Sequence, residues 1–68
     1  MKVISGNTYT CENGYTVTVK SSSLPYYKFK VESAYDECGT QCDWLSEVWT
    51  EDGKAYHHDC GFNFKELP

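Results

Sequence analysis

The sequence predicts a small all-β (or β-rich α+β) domain in which two antiparallel hairpins and a central strand are fastened by an additional staple. The chain has 68 residues, which suits one domain, and a core of that size is marginal without disulfides, a metal or a partner. Its first half alternates apolar and polar residues with a period of two, as half-buried strands do. Its second half contains three of the four cysteines and both histidines. We therefore treat residues 1–68 as a single domain.

The first predicted hairpin surrounds the loop Glu12-Asn13-Gly14. A three-residue loop places Cys11 opposite Tyr15 and Tyr9 opposite Val17, which keeps the apolar residues on one face, whereas a two-residue turn would mix the faces. Gly14 then takes the left-handed conformation that such loops require. We predict the three-residue loop.

The central strand is predicted where Tyr27, Phe29 and Val31 alternate with charged residues. A second hairpin is predicted from residues 44–50 and 55–60, around Glu51-Asp52-Gly53. Its register stays open, because a two-residue turn pairs Trp49 with Tyr56 and a three-residue loop pairs Val48 with Tyr56. Residues 62–67 are expected to add an edge strand.

The charge distribution is uneven and bears on the class of partner. Residues 1–33 carry a balance of +2 and residues 34–68 a balance of −6, and the chain has no arginine. Nucleic-acid backbones are usually bound by clustered Lys and Arg side chains. Direct nucleic-acid binding is therefore disfavoured, and a protein partner with a basic surface is favoured.

The cysteines and histidines of the second half form the pattern C-x3-C-x14-H-x2-C, through Cys38, Cys42, His57 and Cys60. Zinc is bound by four thiolate or imidazole ligands in a tetrahedron, commonly as two close pairs. Two pairs at opposite ends of a hairpin would also close the loop between them. The pattern predicts one structural zinc ion as the staple.

The segment Gly53-Lys54-Ala55-Tyr56-His57-His58-Asp59-Cys60 resembles the second ligand pair in the first zinc half of a LIM domain. That half has a Cys-x2-Cys pair, an aromatic-containing hairpin and a His-x2-Cys pair. The resemblance covers residues 38–60 and implies a zinc site of treble-clef or zinc-knuckle type, with Cys38, Cys42, His57 and Cys60 as ligands. The first pair here has x3 spacing, and no second zinc half follows.

Two alternatives to this ligand set stay open at the level of sequence. Cys11 or His58 is an alternate ligand in place of His57, although Cys11 lies on an apolar strand face and suits a core position. Disulfides are the second alternative, since an even number of cysteines in a tiny domain often means bridges. The pairing would then be Cys38–Cys42 with Cys11–Cys60, in a secreted domain.

Catalysis is not expected. Three cysteines and one histidine would fill all four zinc positions, whereas hydrolytic sites keep one open for water. The sequence has no nucleophile elbow, phosphate loop or dinucleotide fingerprint. We expect a non-catalytic module.

Recognition is the function that the composition favours. Eleven aromatic residues exceed what one small core can bury fully, and exposed tryptophan and tyrosine dominate binding hot spots. The predicted partner-binding residues are four aromatics with an acidic rim: Trp44, Trp49, Tyr26, Tyr35, Asp36, Glu37 and Glu47. The alternative function is an acidic decoy that mimics nucleic acid and blocks a DNA- or RNA-binding protein.

The expected compartment is the cytoplasm. The N-terminal residues, beginning at Met1, contain no apolar run of signal-peptide length, and no stretch approaches the length of a membrane span. The prediction is a small regulator or inhibitor, a monomer or weak dimer, that docks on a larger protein.

Overall fold

The alternating first half of the chain folds into an antiparallel sheet. A computed structural model describes residues 2–65, in which four strands lie in the order β1-β2-β3-β4. The strands are β1 (Thr8–Thr10), β2 (Thr16–Ser21), β3 (Phe29–Tyr35) and β4 (Val48–Trp49), and the single helical element described is a 3-10 turn at His58–Cys60. The predicted small all-β class is confirmed.

The first hairpin has the predicted three-residue loop. Tyr9 pairs with Val17, and the Cys11 N–H donates to the Tyr15 carbonyl at 2.7 Å. Gly14 has φ +94°, the left-handed conformation expected for it. Keeping the apolar residues on one face was therefore enough to select the register.

The β2–β3 pair contains a bulge at Glu32. Val19 pairs with Val31 and Val17 pairs with Ala34, so Glu32 is an extra residue on β3. An extra residue shifts the alternation of side chains beyond it. Ala34 therefore reaches the same buried face as Val31, although simple alternation would place it on the opposite face.

The second predicted hairpin forms in part. Trp49 pairs with Ala55 and the Tyr56 N–H donates to the Val48 carbonyl, which is the three-residue-loop register. The predicted strand over residues 55–60 is wrong beyond this bridge. The His57 N–H donates to a Glu47 carboxylate oxygen at 3.0 Å instead of to a strand, and the chain then enters the 3-10 turn.

The segment after the 3-10 turn returns along β1. Phe64 forms an antiparallel bridge with Cys11, and the Lys65 N–H donates to the Thr10 carbonyl at 2.7 Å. The predicted edge pairing is thus present as one bridge. The rest of the predicted edge strand, at residues 66–67, lies outside the described residues.

The core is centred on Trp49, which is 0% exposed. Its ring stacks on the Phe64 ring with 4.9 Å between the centroids, and the Phe64 ring stacks on that of Tyr9 with 4.8 Å between the centroids. The Trp49 Nε1–H donates to the Phe62 carbonyl at 2.7 Å. The other buried apolar residues are Val3, Cys11, Val17, Val19, Ala34, Cys42 and Ala55.

Trp49→Phe should lower the free energy of unfolding by about 1–3 kcal/mol, because the indole hydrogen bond is lost and the Phe62 carbonyl loses its donor. Trp44→Phe, at an exposed position, is the matched control and should stay within about 0.5 kcal/mol of wild type. Urea unfolding of both variants measures the difference. Equal losses would contradict the role assigned to Trp49.

Candidate functional site

The predicted zinc ligands lie in loops and differ in their exposure to solvent. Cys38 and Cys60 are exposed, Cys42 is buried and His57 is exposed. Cys38 belongs to a turn organised by Asp36, whose Oδ1 accepts the Cys38 N–H at 2.9 Å. Cys60 ends the 3-10 turn.

The geometry of residues 2–65 does not gather the predicted ligands into one group. The single cluster of metal-binding side chains whose ligand atoms approach within 4.8 Å is Asp36, Glu37 and Cys38. The Cys42 Sγ lies 3.5 Å from the Thr40 carbonyl oxygen. Across residues 2–65, no group of three ligand atoms within that distance includes Cys42, His57 or Cys60, and the zinc site stays a prediction from the sequence. Because Asp36 already accepts backbone N–H groups in its turn, we assign no metal to the cluster.

His57 is held by a buried carboxylate. Glu47 is 3% exposed, and its carboxylate oxygens lie 3.1 and 3.2 Å from the His57 Nδ1. The same carboxylate accepts the backbone N–H groups of His57 and Val48. The prediction that Glu47 lies on an exposed rim is therefore wrong, because its hydrogen bonds fix the connection between β4 and the 3-10 turn.

The alternate ligands have different surroundings. Cys11 is fully buried, and burial, followed by the charges of Glu47 and Glu12, raises its pKa from an ordinary 9.0 to about 12. The Cys11 thiol therefore stays protonated near neutral pH and serves as a core residue. His58 is exposed. All four cysteines are free, so neither bridge of the predicted disulfide pairing is present.

The predicted aromatic anchors divide between surface and core. Trp44 is 67% exposed, Tyr26 is 66% exposed and Tyr35 is partly exposed. Trp49 is not at the surface, so its assignment to the binding patch is wrong. It pairs with Phe29 on the buried face of the sheet, which the sequence pattern of a two-residue strand does not reveal.

Trp44 belongs to a cluster of three aromatic rings drawn from three segments. Tyr15 follows the first hairpin loop, Trp44 lies between β3 and β4, and Phe62 follows the 3-10 turn. The Tyr15 ring is 6.4 Å from Trp44 and 5.2 Å from Phe62, with interplanar angles of 81° and 77°. Tyr15 and Phe62 are half-buried, and Tyr15 lies between Phe62 and the exposed Trp44 in this series of contacts.

Two acidic residues, Asp36 and Glu37, lie near Tyr15 of this aromatic cluster, and Asp43 directly precedes Trp44 in the chain. Glu37 packs against the first hairpin loop, where its Cβ lies 3.1 Å from the position a Cβ at Gly14 would take. Partial burial, then the charges of Cys42, Glu37 and Asp36, raises the pKa of Tyr15. The carboxylates of Glu37 and Asp36 therefore lie close enough to influence the Tyr15 phenol. We call the whole set the aromatic–acidic surface: Tyr15, Trp44, Phe62, Asp36, Glu37 and Asp43.

Sequence reasoning missed two aromatic members of this surface, Tyr15 and Phe62. Tyr15 shares the odd-numbered positions of the core residues Val17 and Val19, so its pattern indicates burial. Phe62 was expected in an edge strand, and its place depends on the Trp49 hydrogen bond to its carbonyl. No local signal distinguishes either residue from an ordinary core aromatic.

A second row of aromatic rings lies elsewhere on the surface. The centroid of the Tyr27 ring lies 5.0 Å from that of Tyr26 and 5.4 Å from that of Tyr56. The Tyr56 and His57 ring centroids are 5.0 Å apart. An open groove of about 190 Å³ adjoins this row, and its lining carries both signs of charge. The lining residues are Lys2, Pro25, Tyr26, Lys28, Thr50, Glu51 and Asp52.

No protein-family model matches the chain, and neither does any curated protein or solved structure compared with it. Across residues 2–65, the structure contains no helix with the length and apolar character needed to cross a bilayer. The function is therefore argued from the surface itself.

Thiol titration tests the cysteine environments. In the native protein at pH 8, Cys38 and Cys60 should react quickly with a thiol reagent, because thiolates are the reactive form and both residues are exposed. Cys11 and Cys42 should react only after unfolding, since both are buried and burial raises both pKa values.

The Cys38→Ser/Cys60→Ser double variant is the control and should show no fast thiol. If Cys38 and Cys60 were instead protected until a strong chelator was added, the zinc prediction would be supported and the arrangement described here would be wrong.

Proposed function

We propose that this chain is a non-catalytic protein-binding module that docks on a larger protein through the aromatic–acidic surface. The observation that carries the proposal is the exposure of Trp44, at 67%, in a chain whose other tryptophan is fully buried. A large ring exposed beside half-buried aromatics is typical of a binding hot spot, where a central anchor is surrounded by contacts that exclude water.

The charge of the surface favours a basic partner. Asp36 and Glu37 lie near Tyr15, Asp43 directly precedes Trp44, and the chain carries a formal net charge of −4. Carboxylates at the rim of an interface speed association with a positively charged surface and disfavour acidic partners. This combination supports the action of a small regulator or inhibitor that occupies a basic site on its host.

The proposal includes a cytoplasmic location, because exposed cysteines persist as free thiols in a reducing compartment. The free, exposed thiols of Cys38 and Cys60 support it. A structural zinc ion at Cys38, Cys42, His57 and Cys60 is a separate prediction, and docking does not depend on it.

Selection from a displayed library of random short peptides tests the docking surface. Peptides enriched on the wild-type chain should bind Trp44→Ala at least about 30-fold more weakly, which corresponds to the 2 kcal/mol of a hot spot. Tyr26→Ala removes an equally exposed ring outside the surface (66% exposed) and should change affinity by less than about threefold. Circular dichroism confirms that both variants fold.

Two results would contradict this proposal. Equal losses in the two variants would mean that Trp44 is not the anchor. A steep loss of binding between about 50 and 200 mM salt, with little effect of Trp44→Ala, would favour the acidic decoy, because screening removes charge attraction and leaves aromatic contacts intact.

A further inference from the structure

We propose that the aromatic–acidic surface binds an arginine side chain of the partner, with the guanidinium against the Trp44 ring and hydrogen-bonded to the neighbouring carboxylates. The inference rests on the proposed function and names the chemical group that the surface recognises.

The ring geometry leaves an aromatic face free for a cation. Tyr15 meets both Trp44 and Phe62 nearly at right angles, so neither ring is stacked on it. Because Trp44 is two-thirds exposed and meets Tyr15 at such an angle, at least one indole face is open to solvent. A cation over the face of tryptophan is attracted by the ring quadrupole, more strongly than over tyrosine or phenylalanine.

Among residues 2–65, the carboxylates of the surface have no cationic partner. Within the part of the chain that the structure describes, the salt bridges are Lys2–Glu51 and His57–Glu47, and neither involves the surface. Asp36 uses Oδ1 to accept the N–H groups of Cys38 and Thr40, which leaves its second oxygen for an external donor.

The chemistry favours arginine over lysine. A guanidinium is planar, stacks on aromatic faces and presents paired N–H donors that match a carboxylate. An ammonium is more strongly hydrated and loses more on leaving water. Because this chain contains no arginine, a second copy cannot supply the group, and the partner is a different protein.

Nuclear magnetic resonance titration with short peptides tests the proposal. The probe is acetyl-Gly-Arg-Gly-amide, and the matched control replaces arginine with citrulline, which has nearly the same shape and no charge. The Trp44 Nε1–H resonance should shift saturably with the arginine peptide, and the citrulline peptide should bind at least about fivefold more weakly. The Trp49 Nε1–H is buried and bonded to Phe62, so it serves as the internal reference and should move far less.

Charge variants identify the carboxylates. Glu37→Gln should weaken the arginine peptide by about threefold or more, while Asp52→Asn, at an exposed acid in the other groove, should leave its affinity unchanged. Equal binding of arginine and citrulline, equal binding of a lysine peptide, or the absence of any Trp44 shift would each overturn the proposal.

The two proposals fail in different ways. If library peptides bind through Trp44 but contain no preference for arginine, the docking function stands and the arginine inference is wrong. If the arginine peptide binds at Trp44 but no library peptide depends on that residue, the arginine site stands and the docking function is wrong.

Discussion

The structure depends first on Trp49, a single large ring in a core that has few others. It pairs with Phe29 on one side and Ala55 on the other, and its face stacks on Phe64. The segment carrying Phe64 follows the second hairpin and returns to β1, so this stack joins the end of the described chain to its first hairpin. A sheet of four short strands exposes much of its surface, and stacked aromatic rings bury a large apolar area for each residue involved.

The same tryptophan connects the core to the aromatic–acidic surface. Its indole N–H donates to the Phe62 carbonyl, which fixes the backbone beside the Phe62 ring, and that ring supports Tyr15. Glu47 directly precedes β4, and its buried carboxylate accepts the His57 backbone N–H. This hydrogen bond holds the turn that precedes Phe62. Buried polar groups with all their hydrogen bonds formed make a structure specific. The position of the surface aromatics therefore follows from two buried hydrogen-bonding side chains.

The parts of the fold that could be predicted from the sequence are those governed by local alternation. The first hairpin has the predicted register because only one loop length keeps Tyr9 and Val17 on a shared apolar face. The bulge at Glu32 could not be predicted from the sequence, because the extra residue is recognised only from the pairing of β3 with β2. The burial of Trp49 and the exposure of Trp44 could not be predicted either, because each tryptophan has one polar and one apolar neighbour in the sequence, and only the pairing of the strands shows which one faces inward.

The loops, more than the strands, decide what the surface can recognise. Tyr15, Trp44 and Phe62 each lie next to a turn, and so do the acids Asp36 and Glu37, whereas the strands of the sheet contribute mainly core side chains. Loops tolerate changes of sequence more readily than the scaffold that positions them. Since the aromatic stack around Trp49 and the hydrogen bonds of Glu47 hold these loops from beneath, the surface is preorganised, and a partner that binds it has less conformational entropy to remove. Preorganisation of this kind would allow a chain of 68 residues to present the proposed docking site without a large interface.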